Sequence, residues 1–400
     1  MAYNFGTMST DDNKIPRLLK LELSKDHSFF LFGPRGTGKS TLISDTYRKN
    51  SFIINLLDPE LEERFARNPN ELTQIVNALS NKIKYIVIDE VQKVPKLLDI
   101  VHNLIEKTNK IFILTGSSAR KLKQGHANLL AGRAFVYNLH PFSYLEIEKK
   151  FNLKDVLQWG LLPKVYNLKT ENSKTEFLQA YAHTYLKEEI WAEQFVKELD
   201  PFRHFLEVAA QMNGKIINYS NLSRDVGVDD KTIKKYFSIL EDTLIGFFLD
   251  GFKHSFRKRL NTKSKFYFFD IGVKKTLSRT LSLPIKEATY AYGEAFEHLV
   301  ILECFKLASY YKKEYRFSYL QTKDDAEIDL VVERPGKPFL FIEIKSTKQV
   351  TKESLRTLIS LSGDFKNCEP VCFSDDPYEK LISDVKVLPW KVGIKKYFWK

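Results

Sequence analysis

The chain has 400 residues, of which 43% are hydrophobic and 28% charged, and this composition excludes a disordered or fibrous protein. Four hundred residues are too many for one domain of ordinary size, so we expect two or three. The 62 lysines and arginines exceed the 50 acids by twelve, which favours nucleic acid or another polyanion as partner without requiring it.

The cysteines and the apolar segments indicate where the chain works. Its three cysteines, at 304, 368 and 372, form no C-x-x-C pair and cannot make a framework of disulfides, which favours a reducing cytoplasm. The first sixteen residues are polar, and no apolar run approaches the roughly 18 residues that span a bilayer. We therefore expect a cytoplasmic protein without a membrane partner.

The first predicted domain, residues 1–146, alternates short apolar runs with helical segments. The runs lie at residues 29–32, 52–56, 85–88, 111–114 and 134–139. They are continuously apolar, which is typical of strands buried on both faces of a parallel sheet. The pattern predicts an α/β fold with a parallel sheet covered by helices.

A glycine-rich phosphate-binding loop follows the first of these runs. The glycines allow backbone N–H groups to approach phosphate oxygens, Lys39 can reach the β- and γ-phosphates, and Ser40 can bind Mg²⁺. The sequence therefore predicts a site for ATP and Mg²⁺. Its predicted residues are Gly33, Pro34, Arg35, Gly36, Thr37, Gly38, Lys39, Ser40 and Thr41.

Polar residues after two later strands complete this predicted site. Asp89 would hold Mg²⁺ through water, and Glu90 would orient and deprotonate the attacking water. Residues 115–118, Thr-Gly-Ser-Ser, either sense the γ-phosphate or simply cap their strand. Arg133 is either an arginine finger for a neighbouring subunit's phosphate or a surface charge. A finger would require a homo-oligomer, whose size the sequence does not give.

Two predicted segments follow the sheet. Residues 147–200 are helical and aromatic-rich, and form either a lid or a packing connector. Within residues 201–282 we predict helices at 219–227 and 230–244, joined by a tight turn with Gly227 as the C-terminal cap. Strands at 247–251 and 266–269 flank a basic stretch, so we predict a winged helix that binds DNA. The basic residues are Lys253, Arg257, Lys258, Arg259, Lys263 and Lys265.

The last predicted domain, residues 283–400, is α/β again. We predict a helix at 293–307, strands at 315–320, 328–332 and 339–344, then a helix and a last strand at 370–373. Because alternate residues of a strand share a face, Glu343 and Lys345 point together. With Asp329 they would form a Mg²⁺ site in which Lys345 helps to activate water, and Glu297 or Glu303 would supply a further acid.

Several ordered strings resemble prokaryotic AAA+ family ATPases that carry a C-terminal domain designated DUF4143. This resemblance implies a P-loop AAA+ core and a restriction-endonuclease-like C-terminal domain. Together with the patterns above, we expect an α/β fold with that core, a helical connector, a winged helix and that C-terminal domain. It also places a phosphate-sensing arginine at Arg133. The resembling strings are residues 33–40, 87–92, 114–118, 131–133, 139–146, 265–272 and 292–297.

The acids of the C-terminal region are similar to the PD-(D/E)xK nuclease pattern, to which the C-terminal domain of this ATPase family is itself similar. This similarity implies Asp329, Glu343 and Lys345 as catalytic residues, with Glu297, Asp329 and Glu343 as Mg²⁺ ligands. One position departs from the pattern, because Ile328 stands where the superfamily often has proline. The solvated face of an ordinary strand would give the same three residues.

Three hypotheses follow for function. The chain is an ATP-hydrolysing enzyme that also cuts DNA with Mg²⁺, or a regulatory ATPase switch whose C-terminal domain only recognises its partner. In the third, the helix-turn-helix is a structural bridge, because its predicted recognition helix carries Glu241 and Asp242 beside lysines 231, 234 and 235. We expect ATP and DNA as partners under the first hypothesis.

Overall fold

The computed structural model describes residues 15–21, 25–118, 130, 132–185, 199–252 and 263–399. Their contacts divide the chain into two compact units. One unit contains described residues of 1–147 together with 242–245. The other contains described residues of 148–241 and 246–400. The three segments predicted after residue 146 thus lie largely in one unit.

The first unit is built on a five-stranded parallel sheet in the order β2-β3-β4-β1-β5. The predicted parallel α/β fold is therefore present, and each strand ends within about two residues of its prediction. The strands are β1 Ser28–Phe32, β2 Ser51–Asn55, β3 Tyr85–Asp89, β4 Ile111–Gly116 and β5 Ala134–Asn138. The helices are α1 Lys39–Tyr47, α2 Pro59–Arg67, α3 Glu71–Ala78 and α4 Leu97–Lys107.

Strand β1 occupies the interior of this sheet. All five of its residues are buried, and Phe30 and Phe32 join a core that includes Ile88 and Leu114 from β3 and β4. Because these strands are parallel, their carboxyl ends lie along the same edge of the sheet. The loops that follow β1, β3 and β4 therefore lie together at that edge. They contain the residues predicted to bind the nucleotide.

The second unit begins with helices packed around aromatic side chains. Phe202, Phe205 and Phe237 are almost fully buried, and the Phe205 and Phe237 rings meet edge to face with centroids 4.9 Å apart. The helices are α5 Leu153–Trp159, α6 Pro163–Asn167, α7 Glu171–Ala180, α8 Leu199–Gln211, α9 Tyr219–Val226 and α10 Asp230–Asp242.

A tight turn joins α9 to α10. Gly227 has a φ of 78°, a left-handed conformation that favours glycine, and its N–H bonds the Ser223 carbonyl at 2.9 Å. Asp229 accepts hydrogen bonds from the Thr232 N–H and hydroxyl, both at 2.9 Å. The predicted cap at Gly227 is present and ends one helix, and Asp229 caps the start of the next.

An eight-stranded mixed sheet follows in the order β12-β13-β11-β10-β9-β8-β6-β7. The helices beside it are α11 Ile271–Leu277, α12 Tyr290–Tyr310, α13 Arg356–Gly363 and α14 Trp390–Phe398. The strands are β6 Gly246–Gly251, β7 Ser264–Phe268, β8 Arg316–Gln321, β9 Glu327–Glu333, β10 Phe339–Lys345, β11 Cys368–Ser374, β12 Lys380–Ile382 and β13 Val385–Pro389.

Strands β6 and β7, predicted as a wing, also form one end of this sheet. They pair with each other in antiparallel fashion, and β6 pairs in parallel with β8 through Asp250 and Gly251. Leu249 and Phe268 are fully buried, so the pair needs covering that an isolated hairpin would not give. The sequence pattern shows strands but not which strands pair, and the shared sheet was therefore not predicted.

The C-terminal end of the sheet extends beyond its prediction. The prediction that the strand at residues 370–373 is the last one is wrong, because β12, β13 and helix α14 follow it. Strand β12 has only three residues, too few for a periodic pattern to show. The addition places a further parallel strand, β13, beside β11.

Asp270 joins the helical and sheet parts of the second unit. Its buried carboxylate caps α11 by accepting the Val273 N–H at 3.1 Å, and it accepts the Leu161 N–H at 2.7 Å. Gly160 has a φ of 76°, and a Cβ there would lie 2.2 Å from Asp270 Oδ1. Glycine is therefore needed at residue 160 for this close approach.

Candidate functional site

The loop after β1 has the backbone geometry that phosphate binding needs. Gly36 and Gly38 have φ values of 80° and 93°, which favour glycine. Gly33 lies so close to the segment after β5 that a Cβ on it would be 2.3 Å from the Leu139 carbonyl oxygen. Gly38 precedes the first residue of α1, so the amino end of the helix opens onto the loop.

Lys39 is folded against this loop. Its side chain is buried, and the Nζ donates to the Gly33 carbonyl at 2.7 Å. Thr37 is also buried, and its hydroxyl donates to the Pro34 carbonyl at 2.8 Å. Arg35, Gly36, Ser40 and Thr41 are exposed. The loop therefore holds its lysine among backbone carbonyls, in reach of an anion that enters the loop.

Asp89 lies beside the loop, at the end of β3. Its Oδ2 accepts the Ser40 hydroxyl at 3.1 Å, and its Oδ1 accepts the Thr115 hydroxyl. Burial raises the pKa of Asp89 above its ordinary value, against the opposing effect of these hydrogen bonds. The structure thus brings together the predicted Mg²⁺ residues Ser40 and Asp89.

Glu90 is held in an uncommon backbone conformation. Its φ is 59°, and its N–H bonds the Thr115 hydroxyl at 3.2 Å. Non-glycine residues in this region carry about 1–3 kcal/mol of strain, which is often found at active sites. Thr115 therefore bonds both acids. The sequence predicted that this strand end either senses phosphate or caps the strand, and Thr115 gives it a specific contact with Asp89 and Glu90.

Gln92 holds the Glu90 side chain. Its Nε2 donates to Glu90 Oε2 at 2.5 Å and lies 3.2 Å from the Ser117 hydroxyl. Gln92 is buried, and within the described residues its Oε1 has no hydrogen-bond partner. A Cβ on Gly116 would lie 2.5 Å from that oxygen. Sequence reasoning gave Gln92 no role, although it lies two residues after the predicted base.

Arg133 lies away from this cluster. It precedes β5, whereas the phosphate loop follows β1, and the two strands are parallel. Arg133 is therefore at the amino edge of the sheet and the loop is at the carboxyl edge. Its Nε bonds Glu106 at 2.9 Å, and this pairing lowers the pKa of Glu106. The structure does not bring Arg133 to the loop of its own subunit.

Asp329, Glu343 and Lys345 lie together on neighbouring strands of the second unit. Asp329 Oδ2 accepts the Ile344 N–H at 2.7 Å, and Glu343 Oε1 accepts the Lys345 ammonium at 2.6 Å. Glu343 is 6% exposed, and its Oε2 has no hydrogen-bond partner among the described residues. One buried carboxylate oxygen is therefore left unsatisfied.

Glu297, rather than Glu303, is the helix acid that faces this group. Glu303 is paired within α12, with its Oε1 2.9 Å from Lys306 Nζ. Glu297 Oε1 accepts a hydrogen bond from the Tyr267 hydroxyl at 2.8 Å. The negative charge of Asp329 raises the pKa of Glu297, which shows that the two acids are close. A cavity of about 310 Å³ beside Glu297 is also lined by Tyr267, Lys215 and Tyr290.

The three acids have raised pKa values. Burial raises the pKa of Glu297, and the neighbouring charge of Asp329 raises it further. Burial and Asp329 act on Glu343 in the same way, and burial also raises the pKa of Asp329. Lys345 opposes these shifts at Glu343 and Asp329 without cancelling them. We call Glu297, Asp329, Glu343 and Lys345 the C-terminal cluster.

The C-terminal cluster has the oxygen donors that Mg²⁺ prefers, but not a closed cage. In the parts of the chain that the structure covers, no three or more acid, histidine or cysteine side chains are grouped as ligands of one ion. Mg²⁺ commonly uses one or two carboxylates and keeps several waters. The unsatisfied Glu343 oxygen therefore fits an open Mg²⁺ site.

The predicted DNA-binding lysines differ in their surroundings. Lys231, Lys234 and Lys235 are exposed on α10. Lys265 is buried and paired with Glu327, so it is not a free charge of a basic wing. Burial on β7 explains this difference, because the inward face of a sheet strand requires a partner for a charge. Lys253, Arg257, Lys258 and Arg259 lie outside the described residues.

None of the helices in the described ranges combines the length and the apolar character of a membrane span. Comparison with known proteins gives three matches in chain order. Residues 25–148 match an AAA domain, residues 150–283 a domain of unknown function (DUF8612), and residues 292–392 a domain of unknown function (DUF4143).

Similar whole chains include two uncharacterized proteins. One, from Mycobacterium tuberculosis, is 25% identical over 353 residues, covering 86% of this chain and 76% of its own. The other, from Methanocaldococcus jannaschii, is 23% identical over 421 residues, covering 93% and 85%. A solved structure of the Aeropyrum pernix ORC1 protein in complex with DNA is 12% identical, with a TM-score of 0.24, covering 63% of this chain and 86% of that one.

The AAA-domain match coincides with the five-stranded parallel sheet and with the loop that brings Lys39, Ser40 and Asp89 together. These findings support an AAA-type ATPase domain at residues 25–148 and a DUF4143 match at residues 292–392.

Proposed function

We propose that the first unit binds ATP with Mg²⁺ and hydrolyses it. The contact that carries this proposal is the 3.1 Å hydrogen bond between the Ser40 hydroxyl and Asp89. It places an alcohol and a carboxylate together at the mouth of a phosphate loop, and these are the groups that hold Mg²⁺ in P-loop enzymes. The residues therefore fit the ion.

The roles of the side chains follow from their positions. When ATP binds, the Lys39 ammonium leaves the Gly33 carbonyl and bonds a phosphate oxygen. The ammonium therefore has a hydrogen-bond partner both with and without nucleotide. Glu90 accepts a proton from the attacking water while Gln92 fixes one of its oxygens. Bound Mg²⁺ would supply neutralisation of the charge between the β- and γ-phosphates.

ATP turnover by the purified chain tests this proposal. We expect Mg²⁺-dependent release of phosphate that Lys39→Ala abolishes, because the variant removes the one buried ammonium of the loop. Lys84→Ala, an exposed lysine paired with Asp26 in the same unit, is the matched control and should retain activity. Equal turnover by the wild type and Lys39→Ala would contradict the proposal.

Arg133 enters this proposal only in trans. Because it lies at the amino edge of the sheet, it can act on a nucleotide bound to another subunit but not on its own. We therefore propose a homo-oligomer in which Arg133 leaves Glu106 for a neighbour's phosphate. Mixing Arg133→Ala with Glu90→Gln should restore turnover at mixed interfaces, and no restoration at any ratio would count against the finger.

We further propose a second activity, Mg²⁺-dependent cleavage of DNA by the C-terminal cluster, on a restriction-endonuclease-like fold. The unsatisfied buried oxygen of Glu343 supports it, because a cation there would satisfy that oxygen and lower the raised pKa of each acid. Lys345 would hold the scissile phosphate or help to activate water while it stays beside Glu343. Bound Mg²⁺ would supply polarisation of the phosphate.

The regulatory switch is the alternative to this second activity. Under it, the nucleotide changes the affinity for DNA and the C-terminal cluster has no chemistry to perform. Incubation of linear, circular and branched DNA with protein and Mg²⁺ separates the two. Intact DNA in every case, with nucleotide-dependent affinity that survives Glu343→Ala, would favour the switch.

DNA binding itself is proposed for the helix-turn-helix, with α10 as the recognition helix of a winged-helix domain over residues 201–282. Its three lysines at 231, 234 and 235 are exposed and available to phosphates. Replacing all three with glutamate should weaken binding and reduce its salt dependence. Unchanged affinity would support the structural-bridge hypothesis.

A further inference from the structure

A buried arginine before the first strand contacts the phosphate loop. Arg17 has a side chain only 8% exposed. Its Nη1 donates to the Thr37 carbonyl at 2.6 Å, its Nη2 to the His140 carbonyl at 2.6 Å, and its Nε to Glu146 Oε1 at 2.9 Å. One guanidinium thus joins three segments that are far apart in sequence.

Glu146 is the buried partner of this arginine. Its side chain is fully buried, and it also accepts the Leu18 N–H at 2.6 Å and the Ser143 N–H at 2.8 Å. The Arg17 guanidinium lies 4.9 Å from the centre of the Phe142 ring. A buried ion pair gains stability only where its geometry satisfies both charges, and here both are well supplied with partners.

The segment that contains Glu146 lies directly against the loop. The Leu139 N–H bonds the Phe32 carbonyl at 2.7 Å, and the Leu139 carbonyl fills the place where a Cβ of Gly33 would be. This segment, residues 139–146, resembled the ATPase family in the sequence without a role. Its position gives it one, because it supports the start of the loop while Arg17 holds the end.

The contact with Thr37 has a directional consequence. A trans peptide is planar, so the Thr37 carbonyl and the Gly38 N–H point in opposite directions. By holding that carbonyl toward itself, Arg17 orients the Gly38 N–H away from itself. Gly38, with its φ of 93°, is the residue where the loop enters α1. Its N–H is among those that a P-loop presents to phosphate.

We propose that Arg17 is a positioning residue of the nucleotide site, which fixes the Thr37–Gly38 peptide so that the loop is formed before the nucleotide binds. This inference rests on the proposed ATP site. Loss of Arg17 leaves the phosphate-binding groups in place but lets the peptide rotate, so that part of the binding free energy is spent on ordering the loop.

Nucleotide affinity and protein stability, measured together, test this role. Arg17→Gln should weaken binding of a fluorescent ATP analogue about tenfold, equivalent to roughly 1.4 kcal/mol. Turnover at saturating ATP should change less than affinity, because Lys39, Asp89 and Glu90 remain. The melting temperature should also fall, since Glu146 loses its partner.

Arg334 is a matched control in the second unit. It is likewise buried, paired with Glu369 at 2.9 Å, bonded to the Pro338 carbonyl and placed over the Tyr397 ring. Arg334→Gln should lower the melting temperature but keep the wild-type nucleotide affinity. Should both variants lower affinity equally, or neither, Arg17 acts only through stability and the inference is wrong.

A third variant keeps the test decisive if Arg17→Gln does not fold. Arg17→Lys retains the charge beside Glu146, but one ammonium cannot bond Thr37, His140 and Glu146 with the geometry of a guanidinium. A folded Arg17→Lys with weakened affinity supports the inference, and wild-type affinity overturns it. Failure of the wild type to bind the analogue would instead contradict the proposed ATP site.

Discussion

The two acidic sites of this chain balance their charges in different ways. Beside the phosphate loop, neutral donors satisfy the acids, since Asp89 accepts hydroxyls from Ser40 and Thr115 and Glu90 accepts the Gln92 amide. In the C-terminal cluster, the acids raise one another's pKa values, and two lysines, Lys345 and Lys265, oppose that effect. One Glu343 oxygen is left without a partner in the described chain.

This difference indicates what each site needs. The first site is held together by the protein's own hydrogen bonds, so it can be formed before any ligand arrives. The second carries more buried negative charge than Lys345 and Lys265 balance, so it needs either protons or a cation. A substitution or a change of pH that altered both sites equally would contradict this difference between them.

The largest effect is expected at Glu90. Glu90→Gln removes the proposed proton acceptor but keeps the shape and the Gln92 contact, so turnover should fall about 10²–10⁴-fold while ATP affinity remains. Phosphate release and analogue binding measure the two quantities. Glu71→Gln, which alters a partly buried acid paired with Arg64, is the control. Turnover above a tenth of wild type would exclude Glu90 as the base.

The second expected effect concerns cleavage. Glu343→Gln should lower any DNA cleavage by at least about 10²-fold, because the neutral amide binds Mg²⁺ poorly, while ATP turnover stays at the wild-type rate. Glu369→Gln, which alters an acid of the adjacent strand β11, should leave both activities in place. Cleavage that survives Glu343→Gln would belong to another site or to a contaminant.

The motifs explain how much of these sites the sequence could predict. Residues 33–40 are contiguous, and their chemistry requires a fixed spacing, so the loop was predicted with its strand and helix. Asp89 and Glu90 follow from the end of a buried strand. Arg17 and Glu146 could not be predicted in the same way, because their roles depend on contacts between segments up to 129 residues apart. Gln92 lies only two residues after Glu90, but that spacing does not show that its amide bonds the Glu90 carboxylate.

The C-terminal sheet was predicted less completely for a related reason. Alternation along a strand predicted the shared face of Glu343 and Lys345. It could not show that β6 and β7 join the same sheet, nor that Lys265 would be buried against Glu327. Strand pairing over long separations is decided by packing, which a local pattern does not contain.

A third prediction uses pH. Burial raises the pKa of Glu297 and of Glu343 from an ordinary value of 4.5 to about 8. The folded chain then binds more protons than the unfolded chain between these pH values. The contribution of these two acids to stability is therefore complete below about pH 4.5 and is lost as pH rises toward 8. Thermal unfolding should show a melting temperature that falls as pH rises across this range.

Two comparisons sharpen that measurement. Glu343→Gln should flatten the decline, and Mg²⁺ at high pH should restore stability to the wild type but not to the variant. Glu369 has the opposite sign, because hydrogen bonds from Tyr397, Arg334 and Lys386 outweigh burial and lower its pKa to about 2. Its contribution is lost only as pH falls toward 2. A decline unchanged by Glu343→Gln would show that other groups cause it.

The smallest expected effect is at Gln92, and it probes the first site without altering its acids. Gln92→Leu keeps the buried volume but removes the amide that fixes Glu90 Oε2, so turnover at saturating ATP should fall about threefold to tenfold with affinity unchanged. Gly116→Ala should have an effect in the same direction by a different route. Its new Cβ would displace the Gln92 amide oxygen, which lies 2.5 Å away.

Agreement between these two variants would show that Glu90 depends on the position of one amide, since they share nothing else. If Gly116→Ala is inactive while Gln92→Leu is unaffected, the end of β4 acts on the nucleotide directly and Gln92 only fills space. If neither changes turnover, the strained backbone at Glu90 suffices to place its carboxylate, because a φ of 59° already limits where the side chain can point.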